Sequence, residues 1–278
     1  MSALTQQLRE ETRNSLAAWL DAPAHSAKSH VMFPIRDHNP SGRMPYVTYA
    51  LIAANVLIFL SYWPMMQDNR AILQFYFEYA LIPALVGEGQ GLSGFITYMF
   101  LHGGWMHLIG NMLFLFIFGD NMEDEMGHVS FGLFYLAAGL GAGIIHYVSA
   151  PGSPVPTVGA SGAVAGVMGG YLLLFPKARV DIFIFFIVFF KILPIPAWIM
   201  LGLWFAMQVF GGFGSPAEEG GVAYWAHVGG FVIGLALTVP IWRRLGGTQF
   251  WTRTEGHPPH PEAKYKLTRS SIPTTRRK

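Results

Sequence analysis

Long apolar segments, each about as long as a membrane-spanning helix, constrain the fold of this chain more than any other feature. A helix needs about 20 mainly apolar residues to cross a hydrocarbon core of roughly 30 Å. The chain is 52% hydrophobic and 12% charged, whereas soluble domains carry about 25% charged residues. We therefore predict an all-α, polytopic membrane protein with six transmembrane helices, at residues 46–63, 104–119, 129–149, 158–175, 194–213 and 222–242.

The distribution of lysine and arginine predicts the orientation of these helices, because cytoplasmic segments retain positive charge. Of the 18 basic residues, five precede the first helix, three lie between the fourth and fifth, and nine follow the position where the sixth ends. Only Arg70 lies elsewhere. Both termini are therefore predicted to be cytoplasmic, and the second, fourth and sixth helices are predicted to enter from the outer face.

The remaining segments divide the chain into three regions. Residues 1–44 form a polar, cytoplasmic N-terminal segment with no predicted signal peptide, residues 45–243 form the membrane domain, and the basic tail 244–278 is predicted to be disordered. The apolar run Ile182–Phe190 is too short to span, because nine helical residues reach only about 14 Å. We expect it at the cytoplasmic interface or against the bundle, and residues 64–94 at the outer interface.

A few polar side chains lie in the predicted helices, where an unpartnered polar group costs several kcal/mol. His107 and Asn111 share one face of the second helix, since they are four residues apart. Ser161 and His227 lie near the outer starts of the fourth and sixth helices. The three helices enter from the same side, so these residues are predicted to lie at similar depth around a water-filled cavity. His146, on the third helix, stands alone.

Small residues at a spacing of four predict how the fourth and sixth helices pack. Such seams allow two helix backbones to approach closely. Ser161 and His227 head the two seams and are expected to come within hydrogen-bond reach, which is the relation between a nucleophile and its base. The seam residues are Gly162, Gly166 and Gly170 on the fourth helix, and Ala226, Gly230 and Gly234 on the sixth.

Structural roles compete with a chemical role for each of these residues. Taken singly, Ser161 is more often a packing residue that bonds to its own helix, and His227 a satisfied interhelical histidine. Histidines can also bind haem or a metal, but these lie at one depth and no carboxylate accompanies them, so we predict no metal and no cofactor. A transporter is a third possibility, but the helix pattern has no inverted repeat. The shared depth of the four residues favours a hydrolase.

The sequence also resembles the rhomboid family of intramembrane serine proteases over about residues 45–242. Four segments carry the resemblance: HGGWMHLIGN from His102 to Asn111, EDEMG from Glu123 to Gly127, GASG from Gly159 to Gly162, and AHVGGFVIG from Ala226 to Gly234. Two positions depart from patterns seen in other members. Arg70 follows Asn69 rather than tryptophan, and Ala165 stands where some members have a tyrosine that stacks on the histidine.

The resemblance implies a six-helix, rhomboid-like bundle with a Ser161–His227 catalytic dyad that needs no carboxylate. It implies that His107 and Asn111, with the Ser161 backbone N–H, stabilise the oxyanion, and that His102, Gly159, Gly162, Gly230 and Gly234 are structural. The implied substrates are transmembrane segments of other proteins, which are cut near the outer face. The implied location is the bacterial inner membrane. The implied partners are membrane proteins and lipid, and not nucleic acid. A non-catalytic rhomboid-like chaperone or trafficking factor is the alternative.

Overall fold

A computed structural model of the chain describes residues 31–39, 41–186, 189–214 and 221–259, together with Glu10, Asn14 and Pro261. Short 3-10 turns at Trp63–Gln67 and Tyr98–Phe100 join some of the helices. The helices are α1 (Tyr46–Tyr62), α2 (Asn69–Tyr79), α3 (Pro83–Gly87), α4 (Gly94–Thr97), α5 (Trp105–Met126), α6 (His128–Ser149), α7 (Ser161–Leu174), α8 (Ala197–Gly214), α9 (Tyr224–Arg244) and α10 (Thr248–Thr254). The strands are β1 (Val31–Asp37), β2 (Arg179–Phe186) and β3 (Phe189–Pro196).

The protein is mainly helical, and its apolar helices make it a multi-pass membrane protein. In the described part of the chain, four helical segments are long and apolar enough to cross a membrane: Tyr46–Gln67, α6, α8 and α9. A fifth span results if the bent pair Gly94–Phe100 and α5, which meet at 93°, is counted as one. The two adjacent glycines, 103 and 104, lie at that bend, where the lack of side chains weakens helical continuity.

Helix α7 is shorter than the predicted segment 158–175 because the chain before Ser161 is not helical. Thr157 pairs with Leu81 in an isolated β-bridge, and Gly159 has a φ of +133°. The 14 residues of α7 rise about 21 Å, which is less than the hydrocarbon thickness. Most of them are buried, because α5, α6, α8 and α9 all pack around this central helix.

A three-stranded antiparallel sheet, in the order β1, β2, β3, corrects the all-α prediction. The run Ile182–Phe190 does not span, as expected, but its described residues belong to β2 and β3, and the predicted helix 194–213 begins only at Ala197. Aromatic and β-branched residues dominate this run and favour strands. Strand β1 pairs with β2, and Arg36 of β1 donates through Nε to the Asp181 carboxylate of β2 over 2.7 Å. Residues 31–37 are thereby held against the connection between α7 and α8.

The prediction of a disordered tail is wrong for residues 248–259, which are ordered and packed against the helix bundle. Helix α10 buries Phe250, and the indole N–H of Trp251 donates to the Leu173 carbonyl over 2.9 Å. The Lys177 N–H donates to the Gly256 carbonyl over 2.9 Å. The adjacent aromatic side chains Phe250 and Trp251, together with this backbone bond, anchor a segment that otherwise has a polar, proline-containing composition. Residues 262–278 lie outside the described part.

The acidic end of α5 extends seven residues beyond the predicted helix, from 120 to 126, because polar groups of the chain before and at the start of α1 bind it. Glu123 accepts hydrogen bonds from the backbone N–H groups of Val47 and Thr48, at 2.9 and 2.8 Å, and from the Thr48 hydroxyl at 2.7 Å. These N–H groups at the first turn of α1 have no partner within the helix. The carboxylate therefore caps α1 and holds it beside α5.

Candidate active site

Ser161 and His227 meet where α7 and α9 begin. The Ser161 Oγ lies 2.7 Å from Nε2 of His227, which is a normal distance for a hydroxyl that donates to an imidazole nitrogen. Ser161 is the first residue of α7 and His227 is in the first turn of α9. The hydrogen-bond contact expected from the sequence is therefore present.

The glycine seams explain why the two helices come close enough for this contact. A Cβ on Gly230 would lie 2.0 Å from the Gly162 carbonyl oxygen, and one on Gly234 would lie 2.1 Å from the Gly166 carbonyl oxygen. No side chain fits at those distances, so the backbones of α7 and α9 are in direct contact. A Cβ on Gly162 would likewise meet Ala142 of α6 at 2.6 Å.

Two residues of α8 hold the imidazole of His227 from its other side. Nδ1 of His227 lies 2.8 Å from Oε1 of Gln208, and the ring of Trp204 lies 5.8 Å from the imidazole ring at an angle of 35°. An amide oxygen can only accept, so Nδ1 carries the proton and Nε2 is free to accept from Ser161. Trp204 supplies the aromatic neighbour that Ala165, on α7, cannot.

His107 lies beside the serine, next to a glycine that no other residue can replace without strain. The Gly103 N–H donates to His107 Nδ1 over 3.3 Å, so the neutral ring carries its proton on Nε2. A Cβ on Gly159 would lie 2.8 Å from His107 Nε2 and 3.4 Å from Ser161 Oγ. The φ of +133° at Gly159 is also disfavoured for residues with a side chain. The glycine thus leaves a small space that faces both functional groups.

Asn111 lines the same cavity, while His102 lies behind His107. The Asn111 side chain is 7% exposed, and its amide donates to the His107 carbonyl over 3.0 Å, which leaves a second N–H on the same nitrogen. His102 is fully buried, and its ring lies edge-on to that of His107 at 5.2 Å. The hydroxyl groups of Tyr62 and Tyr76 donate to the His102 carbonyl at 2.9 and 3.2 Å.

A cavity of about 560 Å³ brings these groups together. Such a volume suits a short peptide segment or a drug-sized ligand. It also contains His146, which had no predicted partner on the third helix. Nε2 of His146 lies 2.7 Å from the Thr157 hydroxyl. The polar and aromatic residues that line the cavity include His107, Asn111, His146, Thr157, Ser161, Trp204 and His227.

Gln208 is the residue of this site that sequence reasoning missed. A signal was available, since Gln208 is the one side chain with an amide or a charge in the predicted helix 194–213. A single amide in a lipid-exposed length of helix marks a polar partner elsewhere in the bundle. His146 had the same kind of signal, but its partner Thr157 lies in a loop before α7, which periodicity does not place.

Comparison with known proteins identifies a family to which this chain is similar. The model of the Rhomboid domain matches residues 89–244, which is more than half of the chain. Rhomboid protein 1, mitochondrial, of Saccharomyces cerevisiae is 26% identical over 200 residues, covering 68% of this chain and 51% of that protein. Rhomboid-related protein 2 of Mus musculus is 32% identical over 144 residues, covering 51% of this chain and 46% of that protein.

A chloroplast protein is more similar over a shorter stretch. Rhomboid-like protein 11, chloroplastic, of Arabidopsis thaliana is 44% identical over 73 residues, covering 26% of each chain. The matched regions thus span between about a quarter and a half of the length of these curated relatives. The match to the family model covers every described residue that lines the cavity except Tyr76 of α2. The chain belongs to the rhomboid family.

Proposed function

We propose that the protein is an intramembrane serine endopeptidase in which Ser161 is the nucleophile and His227 the general base. The 2.7 Å contact between Ser161 Oγ and His227 Nε2 carries this proposal. A serine hydroxyl is a weak nucleophile until an adjacent base can take its proton. A relative from Bacillus subtilis, YdcA, is named as a rhomboid protease and is 39% identical to this chain over 79 residues, which supports the proposal.

The reaction follows the steps of acyl transfer to a serine. Ser161 Oγ attacks the peptide carbonyl carbon while its proton passes to His227 Nε2, and the proton then goes to the leaving amine as the C–N bond breaks. Water, deprotonated by the same nitrogen, hydrolyses the acyl-enzyme. We assign oxyanion stabilisation to the Ser161 backbone N–H, the free amide N–H of Asn111 and the Nε2–H of His107, which lies beside the space at Gly159.

The topology that we propose has cytoplasmic termini and six membrane helices, because the shorter helix α7 is counted as a span in addition to the five long apolar segments. The basic residues before α1, between α7 and α8, and from the last turn of α9 onward support this orientation. The cavity then opens toward the outer face, because α7 and α9 begin at it. A bacterial inner membrane is the proposed location. The names of several relatives place those proteins in mitochondria or chloroplasts.

The proposed substrates are transmembrane segments of other membrane proteins, cut near the outer face. A helix in lipid hides its carbonyl groups in internal hydrogen bonds, so a substrate must unwind locally before Ser161 can reach a peptide bond. Glycine, proline and other residues of low helix propensity make that unwinding easier. The cavity has room for such an unwound segment beside Ser161.

Labelling of the purified protein by a fluorophosphonate, together with cleavage of a single-span model substrate, tests the proposal. We expect the wild type and the control Ser61→Ala, whose exposed hydroxyl lies on α1, to be labelled and to cleave. Ser161→Ala should do neither. Equal labelling of Ser161→Ala, or a folded wild type that neither reacts nor cleaves, would defeat the proposal and favour a non-catalytic, client-binding rhomboid-like protein.

A further inference from the structure

Gln208 has a buried side chain whose two ends are both engaged. It is 8% exposed and lies on α8, a helix that otherwise presents apolar residues and glycine. Its Oε1 lies 2.8 Å from His227 Nδ1, while its Nε2 donates to the Trp204 carbonyl over 3.3 Å. Burial of an amide is unfavourable unless its groups are bonded, and here the catalytic histidine supplies one of the partners.

The bond to Trp204 determines which way the amide faces. An amide can present either an acceptor or a donor to an imidazole nitrogen. A donor would oppose Nδ1–H and favour the tautomer with its proton on Nε2, which cannot accept from Ser161. With Nε2 of Gln208 committed to the helix carbonyl four residues back, the oxygen is left to face His227. The tautomer needed for proton abstraction is thereby selected.

We propose that Gln208 is a positioning residue that makes the pair Ser161 and His227 a relay of three side chains, with a neutral amide in the place of a carboxylate. This inference rests on the proposed function. The amide oxygen holds the imidazole in one tautomer and one orientation, and accepts from Nδ1–H more strongly once His227 is protonated, since hydrogen bonds to charged groups are stronger. Unlike a carboxylate, it does so without a buried charge that would need its own partner.

The surroundings of His227 leave this role to Gln208. Ser161 faces the imidazole from α7, and Trp204 and Gln208 from α8. The titratable groups that line the same cavity are His107 from α5, His146 from α6, and the tyrosines Tyr76 and Tyr224. Among the described residues that line the cavity there is no aspartate or glutamate. In the described part of the site, the amide oxygen of Gln208 is thus the acceptor that meets Nδ1 of His227.

Substitution of Gln208, with kinetics measured as a function of pH, tests the proposal. Gln208→Leu removes the acceptor and nearly preserves the volume, and Gln208→Glu restores an acceptor with a negative charge. Met207→Leu, at an exposed neighbouring position of α8, is the matched control. We expect Gln208→Leu to lower kcat roughly 10- to 100-fold with little change in KM, because the lost bond is strongest when His227 is charged.

The pH profile separates positioning from a merely structural role. In Gln208→Leu the acid limb of the kcat profile should move to lower pH, because the charged imidazole loses an acceptor. In Gln208→Glu it should move to higher pH, and part of the lost kcat should return. If Gln208→Leu matches Met207→Leu in kcat and in the position of the acid limb while the wild type cleaves, the inference is wrong.

A spectroscopic measurement decides the inference independently of activity. The ring ¹⁵N signals of His227, identified by their absence in His227→Asn, should indicate a proton on Nδ1 in the wild type and a mixture of tautomers in Gln208→Leu. An unchanged tautomer in Gln208→Leu would overturn the role assigned to Gln208. If the wild type cleaves nothing, the proposed function fails, whereas this ¹⁵N comparison still tests whether Gln208 selects the tautomer.

Discussion

Gly230→Ala tests whether the contact between α7 and α9 determines the geometry of the site. The added Cβ would lie 2.0 Å from the Gly162 carbonyl oxygen, 2.9 Å from the Gly162 carbonyl carbon and 3.3 Å from the Ala142 side chain. Backbone atoms of a central helix cannot rotate away as the end of a flexible side chain can. Since a carbon and an oxygen need at least about 3 Å, the two helices must separate locally by about 1 Å.

That separation acts directly on the pair of residues at the head of the seam. Gly162 follows Ser161, and Gly230 lies three residues after His227, less than one helical turn away. A shift of about 1 Å would lengthen the 2.7 Å bond between Ser161 Oγ and His227 Nε2 beyond the range of a good hydrogen bond. Misplacement by this amount can lower turnover about 100-fold. Overpacking itself should cost about 1–3 kcal/mol of stability.

Cleavage kinetics of a model substrate and thermal unfolding in detergent measure the two effects. The matched control is Gly202→Ala on α8, where an added Cβ would meet nothing within 4 Å. The control should be as active as the wild type and as stable or slightly more so, because alanine favours a helix over glycine by about 1 kcal/mol. If Gly230→Ala keeps the kcat and melting temperature of Gly202→Ala, the seam does not determine the geometry of the site.

Three further predictions concern other parts of the molecule. Asn111→Ala should lower the rate constant of single-turnover cleavage roughly 100- to 1000-fold and leave residual activity, whereas complete inactivity or full activity would contradict an oxyanion role. Trp251→Phe removes the bond to Leu173 and should lower the unfolding free energy by about 0.5–1.5 kcal/mol, measured by denaturant unfolding, with no change in KM. Burial and the neighbouring Asp120 raise the pKa of Asp37 from 3.8 to about 8, so the folded state binds this proton more tightly than the unfolded state does. The free energy of unfolding should therefore fall as pH rises from about 4 to about 8. Melting curves of Asp37→Asn, which cannot lose that proton, should show a smaller fall over the same pH range.

The sequence was sufficient for the parts of the fold that depend on local composition. The apolar length of α6, α8 and α9 indicated spanning helices, and the described membrane helices begin and end within three residues of the predicted ones, except at the end of α5. Groups far away in the chain account for the extended end of α5 and for the later start of α7. The start of α1 binds the acidic end of α5, and the bridge from Thr157 to Leu81 delays the start of α7.

The candidate site was predictable where residue type and spacing carry the information. Ser161 and His227 stand out because polar groups in apolar helices need partners, and the glycine spacing indicates which helices meet. The acceptor on Nδ1 of His227 was not predictable, because Gln208 belongs to a helix whose rotation about its own axis depends on packing. A helix rotated by half a turn would place the same glutamine in lipid. The strand β1 escaped prediction because its partner β2 is more than a hundred residues away.

Taken by itself, the amino-acid sequence determined which long apolar segments are helical, which side of the membrane the charges favour and which small residues let α7 and α9 touch. These properties depend on hydrophobic length, net positive charge and the absence of a Cβ, and all of them are local. Tertiary structure alone decided the tautomer of His227, the place of His146 in the cavity and the pairing of residues 31–37 with the connection after α7. Each of these depends on the relative position of groups on separate elements, to which no local pattern is sensitive.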